Sequence, residues 1–570
     1  MPTKISQFTT AGALTGTETV TGLQNGDNRN FPHPLNELAS TDSGKGATLV
    51  GFIRAGIGAV TRTVMAKLRE YPSVTDYGVT MDGVDSTVAY QAALDAELIL
   101  YVPPGTLLTG VVNYRTGHTL IGPSGNAVTI KTKDSLNTTP HLIASKNDIE
   151  FRNITFDGNK ANNSAGNVVL ISGTSARVRF LNCHVKDGKD GGVAATSGTS
   201  VIEFLHGSIK TCGTDGFQMT TVDRSALMFS TLSGNGRYGA VWGSACTNSR
   251  DFGNNYHDNV QGGSVMVGGN DAIRMGNIAD TNGTGHGLQY NDVERGLYLG
   301  NISKGNGISG LDFTLGSSYG AAVGNISFDN DVRGLEIDSE SYYVAATGNV
   351  VYRNGEVGVS VYRSPTTILV GNHSLENGVT TAPRYGFRFW DDAVTLPSAN
   401  CIMIGNNGSD DRGGSATQTH GLSLENNATL VALLGNKLSP NVTAATNTVS
   451  AAGVQNAGEG NLGLDIPSTA LTLAAGWVEY DAAWLPAQYH KDAAGVVKVT
   501  GAIKSGTVTA GTVIATLPAG FRPAEVAGPF VCYGEAGAVS FYVLADGSIT
   551  ANSALNATRT GLSGIEFRVQ

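Results

Sequence analysis

A glycine followed by alternating apolar positions recurs along the middle of the chain at an almost constant step. Gly192, Gly216, Gly239, Gly263, Gly287, Gly310, Gly334 and Gly358 lie 23 or 24 residues apart, and Gly386 and Gly421 extend the series after insertions. An independent marker, Gly-Asn, recurs at Gly253, Gly276, Gly300, Gly324, Gly348, Gly371, Gly405 and Gly435 with the same period and breaks step at the same insertions. A fixed period of this size means stacked repeats. It is short for helical pairs, and the segments between markers read as three short strands rich in β-branched residues. One such coil cannot bury its apolar side alone, but coils stacked at ~4.8 Å share a continuous core and pair every strand above and below.

The expected fold class is therefore all-β: a right-handed parallel β-helix of about a dozen coils over residues 146–460, a rod on the order of 60 Å long at that layer spacing. Asn282, Asn306, Asn330, Asn354 and Asn377 fall in line at a turn, where stacked amides can bond along the ladder. Glycine supplies 76 of 570 residues, nearly double the usual ~7%, as backbone packed that closely requires.

Alternation divides each coil's marked strand into two sides. Counting from the glycine, positions one and three are apolar (Leu311/Phe313, Leu335/Ile337, Val359/Val361) and face the core, as do Trp242 and Tyr290. Positions two and four are expected to face solvent: Gln289/Asn291, Asp312/Thr314, Glu336/Asp338, Ser360/Tyr362 and Arg388/Trp390. Stacked in register, Asp312 and Glu336 have backbones about 4.8 Å apart. Like charges that close disfavour double ionisation, so one carboxyl is expected to hold its proton late. Asp338 lies about 8 Å diagonally from Asp312 on strand geometry, which favours an inverting glycosidase over a retaining one. The candidate catalytic residues are Glu336 and Asp338, with Asp312 as partner or alternate. Trp390 and Tyr362 would stack on sugar rings, Arg388 would grip a carboxylate or hydroxyl pair, and Gln289, Asn291 and Ser360 would supply neutral hydrogen bonds.

Other chemistry is sparse. Net charge is −10 with no run of Lys or Arg, so no basic stripe matches a phosphate backbone and nucleic acid is not expected as a partner. The start, MPTKISQFTTAGALTG, has no apolar signal core, and no run approaches the ~18 apolar residues of a membrane span; the expectation is a soluble chain, unprocessed at its start. Five cysteines without CxxC spacing read as reduced small hydrophobes. Ten histidines show no metal spacing, so no metal and no cofactor is expected. His286, directly before Gly287, reads as a turn residue, His373 as an inward one, and Trp477 and Trp484 as packing residues of a C-terminal domain.

Residues 74–96, VTDYGVTMDGVDSTVAYQAALDA, followed by LYVPPGT at 100–106, resemble the opening motif of the pectate-lyase-like β-helix proteins in the form found in phage tailspikes. Ser86 and Thr87 start a short amphipathic helix there, with Val88, Ala89, Ala92 and Ala93 expected to cover the first coil. Residues 46–73 are similar to the linker that precedes this motif in phage tail proteins, and residues 1–45 would then be a virion-attachment segment. The tail of the chain is similar to the small C-terminal β-sandwich of such proteins, through Leu517–Pro523 and Asp546–Ile549.

The resemblance implies five parts: 1–45 attachment, 46–73 linker, 74–145 opening and capping region, 146–460 parallel β-helix, and 461–570 a β-sandwich for trimerisation or sugar contact. It implies a homotrimer on the virion tail, joined to the tail or baseplate through its N-terminus, that binds a bacterial capsule or O-antigen and depolymerises it as an endo-glycosidase. Two alternatives stay open: a polysaccharide lyase using Arg388, Tyr362 or His286 as base, and a non-catalytic adhesin.

Overall fold

The computed structural model describes residues 19–24, 27–32, 45–380, 382–392, 397–442, 444–446, 461, 468–474, 476–491 and 495–569. Most of the expected attachment segment lies outside these residues; within it only an antiparallel hairpin, Thr19–Gln24 with Asp27–Pro32, is described.

The repeat folds as expected, into a parallel β-helix. Each coil contributes three strands, as in Ser309–Thr314, Ala321–Val323 and Ile326–Phe328, and each strand pairs in parallel with its equivalent in the next coil. We call these the first, second and third faces of the rod. The first and second run together as one 29-stranded sheet, and the third is a 13-stranded sheet beginning at Asp82–Asp85. Thirteen layers at ~4.8 Å give a rod close to 60 Å long. Strands Gly105–Thr109 and Val128–Thr132 already belong to that ladder, so coils begin within the stretch the sequence assigns to the opening region.

The two glycine markers have different jobs. In Gly-Asn the glycine turns the corner between the second and third faces in the left-handed region, with φ between 59° and 64° from Gly253 to Gly435, where a Cβ is costly. The asparagine after it points inward and is buried: Asn301 donates from Nδ2 to Asn325 Oδ1 at 2.9 Å, and Asn325 to Asn349 at 2.9 Å. The predicted column from Asn282 to Asn377 forms a second such ladder, each Nδ2 donating to the next Oδ1 at 2.9–3.0 Å. The other marker is a matter of close approach. A Cβ on Gly310 would stand 2.0 Å from Ser327 Oγ, whose hydroxyl donates to Gly334 O.

The expected helix is present at Thr87–Ala96, but its buried face is Tyr90, Ala93 and Leu94, which join the rod's core. Val88, expected to pack, is 85% exposed. The i, i+3, i+4 spacing of 90, 93 and 94 aligns them on one face and turns Val88 away. Beyond the coils, antiparallel sheets enclose a second apolar core that includes Trp477, Val497, Ile514, Phe541 and Ile565. Trp477 packs there as expected; Trp484 does not, and is half exposed. All five cysteines are buried free thiols. Among the described residues no helix is long and apolar enough to cross a membrane.

Candidate functional site

Register places the candidate residues in two columns on the outer side of the first face. Gln289, Asp312, Glu336, Ser360 and Arg388 are successive partners in the ladder. Asn291 pairs with Thr314, and Tyr362 with Trp390, in the column beside it. Asp338 extends that second column just beyond its strand, its N–H donating to Phe313 O at 2.7 Å.

The outward side holds, but solvent exposure does not. Asp312 is 1% and Glu336 2% exposed, and Ser360 is fully buried; only Gln289, Asn291, Asp338, Arg388, Tyr362 and Trp390 keep partial exposure. Alternation fixes the side a residue points to, whereas its burial depends on the long side chains that close over it from neighbouring coils.

Those side chains are His286 and Arg333, which occupy equivalent positions directly before Gly287 and Gly334. Arg333 ion-pairs with Glu336 Oε1, and Ser309 Oγ donates to Glu336 Oε2 at 2.6 Å. Gln289 Nε2 donates to Asp312 Oδ2 at 2.9 Å, and His286 Nε2 stands 3.7 Å from that oxygen. Asp312 Oδ1 and His286 Nδ1 are buried without hydrogen-bond partners. Asp338 accepts from Ser339 Oγ at 2.7 Å. His286 is thus a member of the cluster and not a plain turn residue, and Arg333 is a member that the strand pattern did not flag.

The electrostatics follow from this enclosure. Burial first, then the charges of Glu336 and Asp338, push the Asp312 carboxyl well above the ordinary carboxylate range, against smaller opposing effects of Gln289 and Arg333. Burial first and then Glu336 also raise Asp338. Burial lowers His286, with Glu336 and Arg333 acting in opposite directions on it. One nitrogen of His286 and one oxygen each of Asp312 and Glu336 lie within 4.8 Å of one another, a spacing that would suit a cation. Arg333 and Ser309 each engage one oxygen of Glu336.

A stability test follows from Asp312. Its folded pKa is raised above the ~3.9 of an unfolded Asp. Its favourable contribution is therefore complete below about pH 4 and is lost as pH rises through the folded value. Asp312→Asn should melt higher than wild type at neutral pH, with the difference vanishing near pH 4. Parallel melting-temperature profiles over that range would show that Asp312 is not perturbed.

Further along the face, the groups assigned to sugar contact hold one another. The Tyr362 and Trp390 rings lie 4.0 Å apart, and Trp390 Nε1 donates to Ser360 Oγ at 3.2 Å. The Arg388 guanidinium stacks over Trp390 at 4.0 Å and donates from Nη2 to Glu425 Oε2 at 2.6 Å. Its charge is thus engaged, while Tyr362 and Trp390 both keep partial exposure.

No family profile matches the sequence, and no curated protein matches it. Solved structures similar to this chain include a phage tailspike and alginate epimerases. Tailspike protein 3 of bacteriophage CBA120 aligns over 82% of this chain and 76% of its own, at 13% identity and a TM-score of 0.47. The A-module of Azotobacter vinelandii mannuronan C-5 epimerase AlgE6 aligns over 69% of this chain and 98% of its own, at 19% identity and a TM-score of 0.41. The N-terminal fragment of bacteriophage phi29 gene product 12 aligns over 70% and 72%, at 14% identity and a TM-score of 0.45. Function must be argued from the site, since one fold hosts many chemistries.

Proposed function

We propose that this chain is a phage tailspike that binds a bacterial surface polysaccharide, capsule or O-antigen, and cuts it by endo-glycoside hydrolysis. It would be attached to the tail through its N-terminal segment. The observation that carries the reading is the convergence of three carboxyl groups on one face, two of them raised in pKa and the third ion-paired with Arg333.

Paired carboxyls kept in different states by their surroundings are the working parts of a glycosidase. Asp338 is the most open of the three and extends the outward column in which Tyr362 pairs with Trp390. Its raised pKa suits a general acid that protonates the leaving glycosidic oxygen. Glu336, two residues earlier on the same side of the strand, is the partner that takes a proton from the attacking water, a role that requires the Ser309 hydroxyl to leave Oε2 while Arg333 stays on Oε1. Their backbones are about 6.8 Å apart along the strand, and inversion requires their carboxyl groups to stand ~6.5–9.5 Å apart with the water between them. Asp312 and Glu336 are too close to admit a water between them, and Asp312 serves as the protonated neighbour that keeps the cluster from carrying three charges.

Elimination needs a cation to neutralise a uronate and a base beside it. Here Arg333 is taken up by Glu336 and Arg388 by Glu425, and further carboxyls surround the former. That balance disfavours an anionic sugar at the cluster. The test is mass analysis of fragments released from candidate capsules and O-antigens. Hydrolysis leaves fragments heavier by one water per cut; an unsaturated, ultraviolet-absorbing end would assign a lyase, and cells coated with intact polymer would assign an adhesin.

A further inference from the structure

Two tyrosines stand on the corner between the first and second faces, in the two coils that carry the acids. Tyr319 follows Asp312 in one coil and Tyr343 follows Asp338 in the next, each two residues before its second-face strand. A bridge between Ser318 and Tyr342 fixes their register, and their rings stack with centroids 5.1 Å apart and planes 10° from parallel. Tyr319 is 59% and Tyr343 55% exposed. Leu315, 57% exposed, lies in the same turn and directly follows Thr314 of the Asp338 column.

The corner itself does not call for aromatic residues. Each of these coils passes through the left-handed region at this position, with φ between 53° and 59° in Asp271, Arg295, Tyr319, Tyr343, Thr366 and Asn400. Asp and Asn adopt that conformation readily, whereas bulky side chains are uncommon in it. The neighbours in the column leave the pair uncapped. Arg295, in the preceding coil, turns its guanidinium to Asp271 at 2.7 and 3.1 Å. Thr366, in the following coil, is short, and its hydroxyl donates to Pro365 O at 2.6 Å. In this column the aromatic pair therefore spans the acid-bearing coils and no others.

We propose that Tyr319 and Tyr343 form a sugar-stacking platform outside the cutting site, and that the polysaccharide crosses this corner as it leaves the acids. Five residues separate Asp338 from Tyr343, so their backbones are at most about 17 Å apart at ~3.4 Å per residue. Neighbouring units of one polymer can span that gap. A phenol ring offers a flat apolar face to the C–H side of a pyranose and a hydroxyl to its edge. Glu340, in the same turn, is ion-paired with Arg363, so the platform selects sugars by ring face and not by charge. Two rings offer at most about 300–500 Å² of contact, which suits a narrow occupant better than a protein partner needing ~1,000 Å². The inference rests on the polysaccharide reading of the site but not on hydrolysis.

The test is affinity electrophoresis of the full chain through gels containing purified capsular or O-antigen polysaccharides, in an Asp338→Asn background so that the polymer stays whole. Against a polymer that retards this parent, adding Tyr319→Asn with Tyr343→Asn should weaken binding about tenfold. Circular dichroism and solution mass should not change, since Asn400 already occupies the equivalent turn. Tyr319→Phe with Tyr343→Phe should keep most of the affinity, because stacking needs the ring. Tyr352→Ala, which breaks a ring pair with Phe328 at the same height on the third face, should leave binding as it is. With Asp338 restored, the Asn pair should raise KM for the polymer more than it lowers kcat. Equal affinity of the Asn pair and its parent would overturn the platform alone, as would an equal loss from Tyr352→Ala, or a changed solution mass, which would assign the rings to contact between chains. A parent retarded by no polymer would remove the polysaccharide reading and the platform together. If the Asn pair does not fold, each single substitution should still weaken binding, and folded single variants with parental affinity would overturn the proposal.

Discussion

Asp338→Asn should slow release of oligosaccharide by about 10²–10⁴-fold, the usual contribution of a positioned general acid, while binding of the intact polymer persists. Asn keeps the shape of the side chain and can still accept from Ser339 Oγ, so the loss is confined to the proton. Two further readings separate this outcome from general damage. The variant should keep the wild-type circular dichroism and solution mass. Wild-type turnover should also fall on the alkaline side as Asp338 deprotonates, at a pH above the ordinary carboxylate range because burial and Glu336 raise that group. The alkaline limb should move down when Glu336→Gln removes the neighbouring charge, in whatever activity remains. If Asp338→Asn retains more than half of wild-type turnover, the acid lies elsewhere and the assignment of this residue fails.

How much of this was legible in the sequence differs from residue to residue for physical reasons. The ladder Gln289, Asp312, Glu336, Ser360, Arg388 could be read because a glycine at a fixed step marks register, and register in stacked coils brings equivalents into contact. Alternation from that glycine gives inside and outside, so Trp242 and Tyr290 were correctly placed in the core. The same rule fails at the residue before the glycine. His286 precedes its strand and Arg333 opens the strand Arg333–Ile337, and both turn onto the acids. Their shared position before a marker glycine was the available signal, visible only by reading the column and not the coil. Burial of Asp312 and Glu336 was illegible for a related cause, since it is made by those two side chains and Gln289.

Arg274→Met should cost the rod about 3–5 kcal/mol, the penalty of leaving a buried charge without its partner, measured by denaturant unfolding. The pattern of the strand predicts an apolar residue at this inward position, as Tyr298, Ala322 and Leu369 are in its column. The chain instead places a guanidinium inside the coil, 2% exposed, with its centre 4.5 Å from the Tyr290 ring and 5.7 Å from Trp242. Its Nε faces Asp251 Oδ2 at 3.4 Å, and Asp251 also accepts from Tyr256 at 2.7 Å, Asn254 at 2.8 Å and Ser264 at 3.1 Å. Removing the arginine strands that carboxyl, which burial already pushes upward. Combining Arg274→Met with Asp251→Asn should therefore recover most of the loss, since apolar or neutral replacement of a whole buried pair is often close to neutral. The pair also braces the candidate site from behind. Arg274 Nη1 donates to the backbone carbonyl of Gln289 at 2.5 Å, and Tyr298, packed against Tyr290, donates to that of Asp312 at 2.8 Å. The double variant should accordingly regain stability without regaining full turnover, because the neutral pair no longer fixes the backbone of Gln289 beneath its bond to Asp312. A double variant with both stability and turnover of wild type would reduce the buried arginine to a packing element with no hold on the acids.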